Sequence, residues 1–185
     1  PNGSADEGRL VSPPLAWIPH QECGSAAAML WMRSSKMGPL ADQPVLLSFN
    51  PPKLFQVHTD SDEFVSQGGI TPLPLALDDP LLKGAVNPTD GLLYLAGFNI
   101  WGTKAKGKTF LGRVRPNPKR VLPAPVDLRA GKRGILLQFA QALDPMTASR
   151  TDAYSVRRWN YKRAPKYGSA IYKLDGSPGT EDLSV

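Results

Sequence analysis

Apolar residues along this chain come in short runs, and proline, glycine, asparagine or aspartate separates one run from the next. The clearest case is Lys83–Trp101, where Ala85–Val86 and Leu92–Phe98 flank Asn87-Pro88-Thr89-Asp90-Gly91. Proline presets the negative φ of a type I turn, aspartate can bond its own backbone, and glycine takes the positive-φ position of a bulged hairpin. The pattern predicts a β-hairpin and hence an antiparallel sheet protein. No long stretch repeats apolar residues at helical spacing, which points to an all-β chain.

Four runs precede the hairpin: Leu15–His20, Ala27–Met32, Val45–Phe49 and Leu54–His58. They predict a meander of four short strands, the first extended because a residue before proline is pushed toward β conformation. Phe64–Leu77 should give an outer strand and a connection, and Pro72 and Pro74 put it at a sheet edge. Ala85–Asn87, Leu92–Phe98 and Phe110–Val114 follow as three more strands. Leu30 and Leu93 lie 63 positions apart, and Phe49 and Val114 lie 65 apart, so the two sets hold nearly one offset. Repeated meanders of this kind suggest propeller blades, although common short repeats run to about 40–50 residues. Two blades do not close a ring, which needs about four to eight.

Beyond Arg115 the pattern changes. Residues 116–126 are rich in proline and basic side chains and read as a linker. Gly134–Phe139 alternates, with Ile135, Leu137 and Phe139 on one face, Met146–Asp152 fits a helical turn, and Tyr154–Lys162 and Ser169–Leu174 read as further strands. Few strands among loops suit a small β-sandwich that is cut short. The expected organisation is therefore blades over 1–115, a linker over 116–126 and a partial β-sandwich over 127–185.

Charge sharpens that division. Residues 1–102 hold 5 basic and 10 acidic side chains, whereas residues 103–185 hold 17 and 6. Such asymmetry suggests two units with different surfaces. The single cysteine, Cys23, excludes an internal disulfide framework and a cysteine-based zinc cluster. No run is apolar for long enough to span a bilayer as a helix. The first residues, PNGSADEGRLVSPP, read like the middle of a longer protein, so a fragment is expected.

Several phrases occur together and in order: PPLAWIPH, the LWM strand, QGGITPLPL, NPTDGLLYLAGF, GILLQFAQALDP, YSVRRWNYKR and YGSAIY. In this set the chain resembles the C-terminal part of bacterial quinoprotein glucose/sorbosone dehydrogenase-like β-propellers, in which an immunoglobulin-like module follows the propeller and a c-type cytochrome is often linked. The resemblance implies an exported protein, periplasmic or on the cell surface, associated with sugar or alcohol oxidation. Its implied partners are the remaining blades of a parent chain, a cytochrome c domain and a sugar substrate. Pyrroloquinoline quinone and haem c would belong to the parent, and no cofactor is expected in this chain. The blades expected to carry the catalytic base lie outside it, Cys23 alone makes no CxxCH, and RPNPKRVLPAP stands where a short tyrosine-containing turn is expected. No catalytic residue is therefore carried over. A non-catalytic β module that binds carbohydrate or protein is the alternative.

Within that frame Trp17 and His20 are the best local ligand-binding candidates. At the end of an innermost strand they would face an axial opening, where histidine can act as acid, base or hydrogen-bond donor. The plainer alternative is tryptophan packed between blades and histidine bonding a loop carbonyl. Asn99 and Trp101, just after a strand, could present an indole to a sugar or quinone and an amide to orient it, or merely cap a blade. His58 is expected to be exposed. Asp60, Asp62 and Glu63 could offer oxygens to a hard cation, but without the glycine and distal glutamate of an EF-hand they read as a solvated turn. Glu22 beside Cys23 supplies no cation to lower the thiol pKa, so that cysteine reads as structural. The basic set Lys104, Lys106, Lys108, Arg113, Arg115, Lys119, Arg120, Arg157, Arg158, Lys162 and Arg163 could track phosphates, with Trp159 and Tyr161 stacking bases. Alternating aromatics on one strand fit a packed face equally well and leave the arginines solvated, or docking an acidic cytochrome domain. No nucleic-acid partner is expected. GxxxxGK[ST] and HExxH are both absent.

Overall fold

The computed structural model describes residues 14–61, 66–120, 124–162, 168 and 170–185. Nearly all its regular elements are strands in antiparallel pairs, so the chain is all-β with several antiparallel sheets. Two compact units are present, one spanning Pro14–Gln141 and the other holding the residues after it.

In the larger unit β1 (Ser25–Trp31), β2 (Pro44–Asn50), β3 (Lys53–Ser61) and β4 (Ser66–Pro72) join in chain order as a four-stranded meander. The expected strand Leu15–His20 is not among them. Pro14 and Pro19 remove the ladder donor at its two ends, and the segment ends in a turn where Glu22 and Cys23 donate to the Pro19 carbonyl. The fourth strand is instead β4, the start of the run expected to begin the next set. Its last residue, Pro72, sits on a sheet edge, where a missing N–H does least harm.

A second sheet orders β5 (Lys83–Val86), β6 (Leu93–Phe98) and β7 (Thr109–Val114). The β5–β6 turn follows its residues. Asn87 Oδ1 accepts from the Thr89 N–H, Gly91 N–H donates to the Asn87 carbonyl, and Gly91 adopts a φ of 70°. β8 (Pro125–Gly131) and β9 (Gly134–Phe139) then form a two-stranded hairpin, with β8 lying against β3 and β4. The stretch 116–126 thus falls within the larger unit, its residues 121–123 lying outside those described.

Period-two alternation builds the core. The register places Val45 and Leu47 of β2 on the same face as Leu54 of β3, and those residues pack with Leu93 and Leu95 of β6. Met37 and Leu40, from a 3₁₀ turn over Ser35–Leu40, fill the same core. Each buried leucine contributes roughly 1.5–3 kcal/mol. The first strands of the two sheets, β1 and β5, lie against each other. Gly84 sits at this approach, where a Cβ would stand 2.9 Å from Leu30 Cδ2 and that side chain would have to shift.

The smaller unit has α1 (Pro145–Ala148), started by Asp144, whose Oδ2 accepts from the Thr147 N–H at 3.0 Å. The expected strand Tyr154–Lys162 is broken at Trp159 into β10 (Val156–Arg158) and β11 (Asn160–Tyr161). These pair with β13 (Glu181–Leu183) and β12 (Ile171–Tyr172), respectively. Among its described residues none is buried.

Candidate functional site

Two segments singled out from the sequence meet at the turn between β2 and β3. The peptide bond Asn50–Pro51 is cis, and Pro51-Pro52 carries the chain round to Lys53. From one side, the Gly24 N–H donates to the Asn50 carbonyl at 2.8 Å, and Glu22 pairs with Lys53 at 2.7 Å. His20 occupies the turn just before, close to Gly24. From the other side, the Lys104 N–H donates to Asn50 Oδ1 at 3.0 Å and Thr103 Oγ1 donates to the Phe49 carbonyl at 2.7 Å. The Trp101 ring leans on Phe49, with centroids 5.6 Å apart and planes at 60°. Asn50 therefore holds both loops through its own carbonyl and amide.

Within this arrangement Trp101 is 58% exposed and Trp17 57% exposed. Asn99 and His20 are exposed as well. Asn99 closes the second loop, its N–H donating to the Lys108 carbonyl at 2.8 Å. The structure brings the segments of His20 and Trp101 to one turn, while Trp17 and Asn99 lie earlier on the same two segments. An indole backed on one side by a buried ring and open on the other is suited to stacking on a flat apolar ring face.

A second polar group was not foreseen. His58 is 2% exposed rather than solvated, because β8 covers its face of the first sheet. Its Nε2 shares a hydrogen bond with Thr71 Oγ1 at 2.8 Å, and neighbouring Gln56 donates to the Val126 carbonyl at 3.2 Å. Gln56 Oε1 is buried with no hydrogen-bond partner among the described residues. Burial pushes the His58 imidazole below its ordinary value, opposed in part by the Asp127 carboxylate. That carboxylate accepts from the Leu128 N–H and from Arg129 Nε, each at 2.9 Å. Hydroxyl, imidazole and carboxylate resemble a nucleophilic set, but Thr71 is only 9% exposed and a substrate could not reach it. The group is an internal clasp that satisfies polar atoms under β8. Alternation could not reveal it, since the cover comes from β8, a strand distant in the chain.

Several of the basic side chains have local partners. Arg113 bonds the Tyr94 hydroxyl at 3.2 Å and pairs with Asp90 at 3.6 Å. Hydrogen bonds from the Leu92 N–H and the Tyr94 hydroxyl, together with Arg113 and Lys36, hold the Asp90 carboxyl below the usual range. Lys106 pairs with Asp78, Arg158 with Glu181, and Lys162 sits 4.2 Å from the Tyr172 ring centroid. Trp159 and Tyr161 are half-buried while Arg157 and Arg158 are exposed. Arg163 lies outside the described residues, as do Asp62 and Glu63 of the acidic cluster. Among the described residues no group of three or more His, Cys, Asp or Glu is placed to hold a metal ion, and no helix is long and apolar enough to cross a membrane. No family model, curated protein or solved structure matches the chain.

Proposed function

We propose that this chain is the C-terminal part of an exported quinoprotein sugar or alcohol dehydrogenase-like β-propeller, followed by an immunoglobulin-like module. In this role its two meanders are adjoining blades that help to close a ring and dock partners, and the complete active site belongs to the rest of the parent. Pyrroloquinoline quinone and haem c would be held by that remainder. One observation carries the proposal: two successive antiparallel meanders share a core with their first strands against each other, while the far side of the second holds an open apolar patch. That patch is Ala85, Ala96, Phe98 and Leu111, the last 81% exposed, and it lies on the same face as Lys83, Thr109 and the bonded pair Tyr94 and Arg113. A blade needs a neighbour on both faces, and an apolar patch within a polar surround is what such a neighbour would cover.

Dye-linked oxidation of glucose and related sugars with added quinone tests this division. The 185-residue chain should give no turnover, and the polypeptide as its own cells make it should give turnover. Turnover by the chain alone, or none by the natural polypeptide reconstituted with quinone, would contradict it.

The second reading, a carbohydrate- or protein-binding module without catalysis, draws support from the exposed Trp101 ring on Phe49. Oligosaccharide titration followed by tryptophan fluorescence separates the two readings. Saturable quenching lost in Trp101→Ala would favour the module.

A further inference from the structure

We infer that β9 is an open docking edge that takes an extended, acidic peptide segment as an added strand. The hairpin is anchored on one side only. Gln56 and Gln67 donate side-chain hydrogen bonds to the Val126 and Ala130 carbonyls of β8, and Leu128 lies over Gly69 of β4. β9 pairs with β8 alone, so among the described residues its outer edge offers unpaired backbone groups.

Its sequence, Gly-Ile-Leu-Leu-Gln-Phe, contains no charge and no proline, the usual devices that blunt an edge. β1 also lacks both, but it lies against β5. Ile135 is 55% and Leu136 64% exposed, so both faces of β9 show branched apolar side chains to solvent. Edge and faces together define the occupant as a β-strand rather than a helix or a small molecule.

The register gives the sign of its charge. Ile135 and Leu137 share a face with Ala130 and Leu128, which is apolar. The opposite face pairs Leu136 with Arg129 and Gln138 with Asp127, whose carboxylate holds Arg129 at 2.9 Å, so the net positive charge comes from the tip. At the tip, Lys132 and Arg133 are exposed and border, with Arg129 and Leu136, a shallow depression of about 350 Å³. A strand with small apolar residues on one face and carboxylates on the other complements both. This inference does not require the sheets to be propeller blades, and its readout is separate from sugar oxidation.

The test uses fluorescence anisotropy of a labelled, acetylated Glu-Val-Glu-Val-Glu-Val-Glu peptide added to the 185-residue chain. Saturable binding is expected, at least about 10-fold weaker for Ile135→Lys, whose exposed position leaves the circular dichroism unchanged. Replacing the central valine of the peptide by proline removes a ladder donor and should weaken binding as much. Lys132→Glu with Arg133→Glu should weaken it and flatten its salt dependence. Equal affinity for the proline peptide would reduce the effect to charge attraction and overturn the inference. So would no loss in Ile135→Lys, or a dimer in sedimentation that Ile135→Lys abolishes, which would make a second copy the occupant.

Discussion

The two units are held together by different means. In Pro14–Gln141 a continuous core runs from Met32 to Leu95, and every buried apolar side chain among the described residues belongs to this unit. From Ala142 onward, local polar links do the work. Asp144 caps α1, Asp175 accepts from the Ser177 N–H and hydroxyl, and Glu181 accepts from Arg158 at 2.5 Å and from the Leu174 N–H at 3.1 Å. Short two-stranded ladders are marginal in water without a packed face. Cores resist single substitutions poorly but fix a unique structure, whereas exposed ion pairs contribute little each. The difference locates stability in the first unit.

The largest expected effect is therefore at the centre of the first core. Leu47→Ala should cost about 2–5 kcal/mol in denaturant unfolding, because Leu47 is fully buried on the shared face. A loss under about 1 kcal/mol would mean that the two sheets do not share a tight core. Next, Gly91→Ala should cost about 1–2 kcal/mol, since alanine is forced into the left-handed region at φ 70°. A neutral result would show that the hairpin adopts another turn.

The His58 clasp gives a pH dependence confined to the first unit. Because burial lowers its folded-state pKa below 6.5, the unfolded chain binds the proton more readily. The stabilisation is full above that unfolded value and is lost as pH falls through the folded one. Melting temperature should drop as pH falls from roughly 7 to 5, and less so in His58→Gln. Identical pH profiles for the two proteins would remove His58 from the account. Smallest of all, Ile171→Ala in β12 should cost less than about 1 kcal/mol, as only a half-buried side chain is lost. A larger cost would show a core in the second unit.

Local chemistry was the most legible part of the sequence. The Asn87–Gly91 turn, the strand Gly134–Phe139, the helical turn after Asp144 and the edge position of Pro72 all depend on neighbouring residues, and all are present. What depended on distant partners was not legible. Leu15–His20 has strand-like composition yet finds no partner strand, and the first meander takes β4 instead. His58 was mistaken for a surface residue because β8, nearly 70 residues on, supplies its cover. The meeting of the His20 and Trp101 segments was equally hidden, since Asn50 joins stretches that nothing in their spacing connects.

The central claim is that the far face of the β5–β7 sheet is covered in the natural protein by another sheet. Maleimide labelling of Leu111→Cys in a Cys23→Ser background measures that cover directly. Fast labelling in the 185-residue chain, with slow labelling in the polypeptide purified from its own cells, is the predicted result. Equal fast rates in both would contradict it.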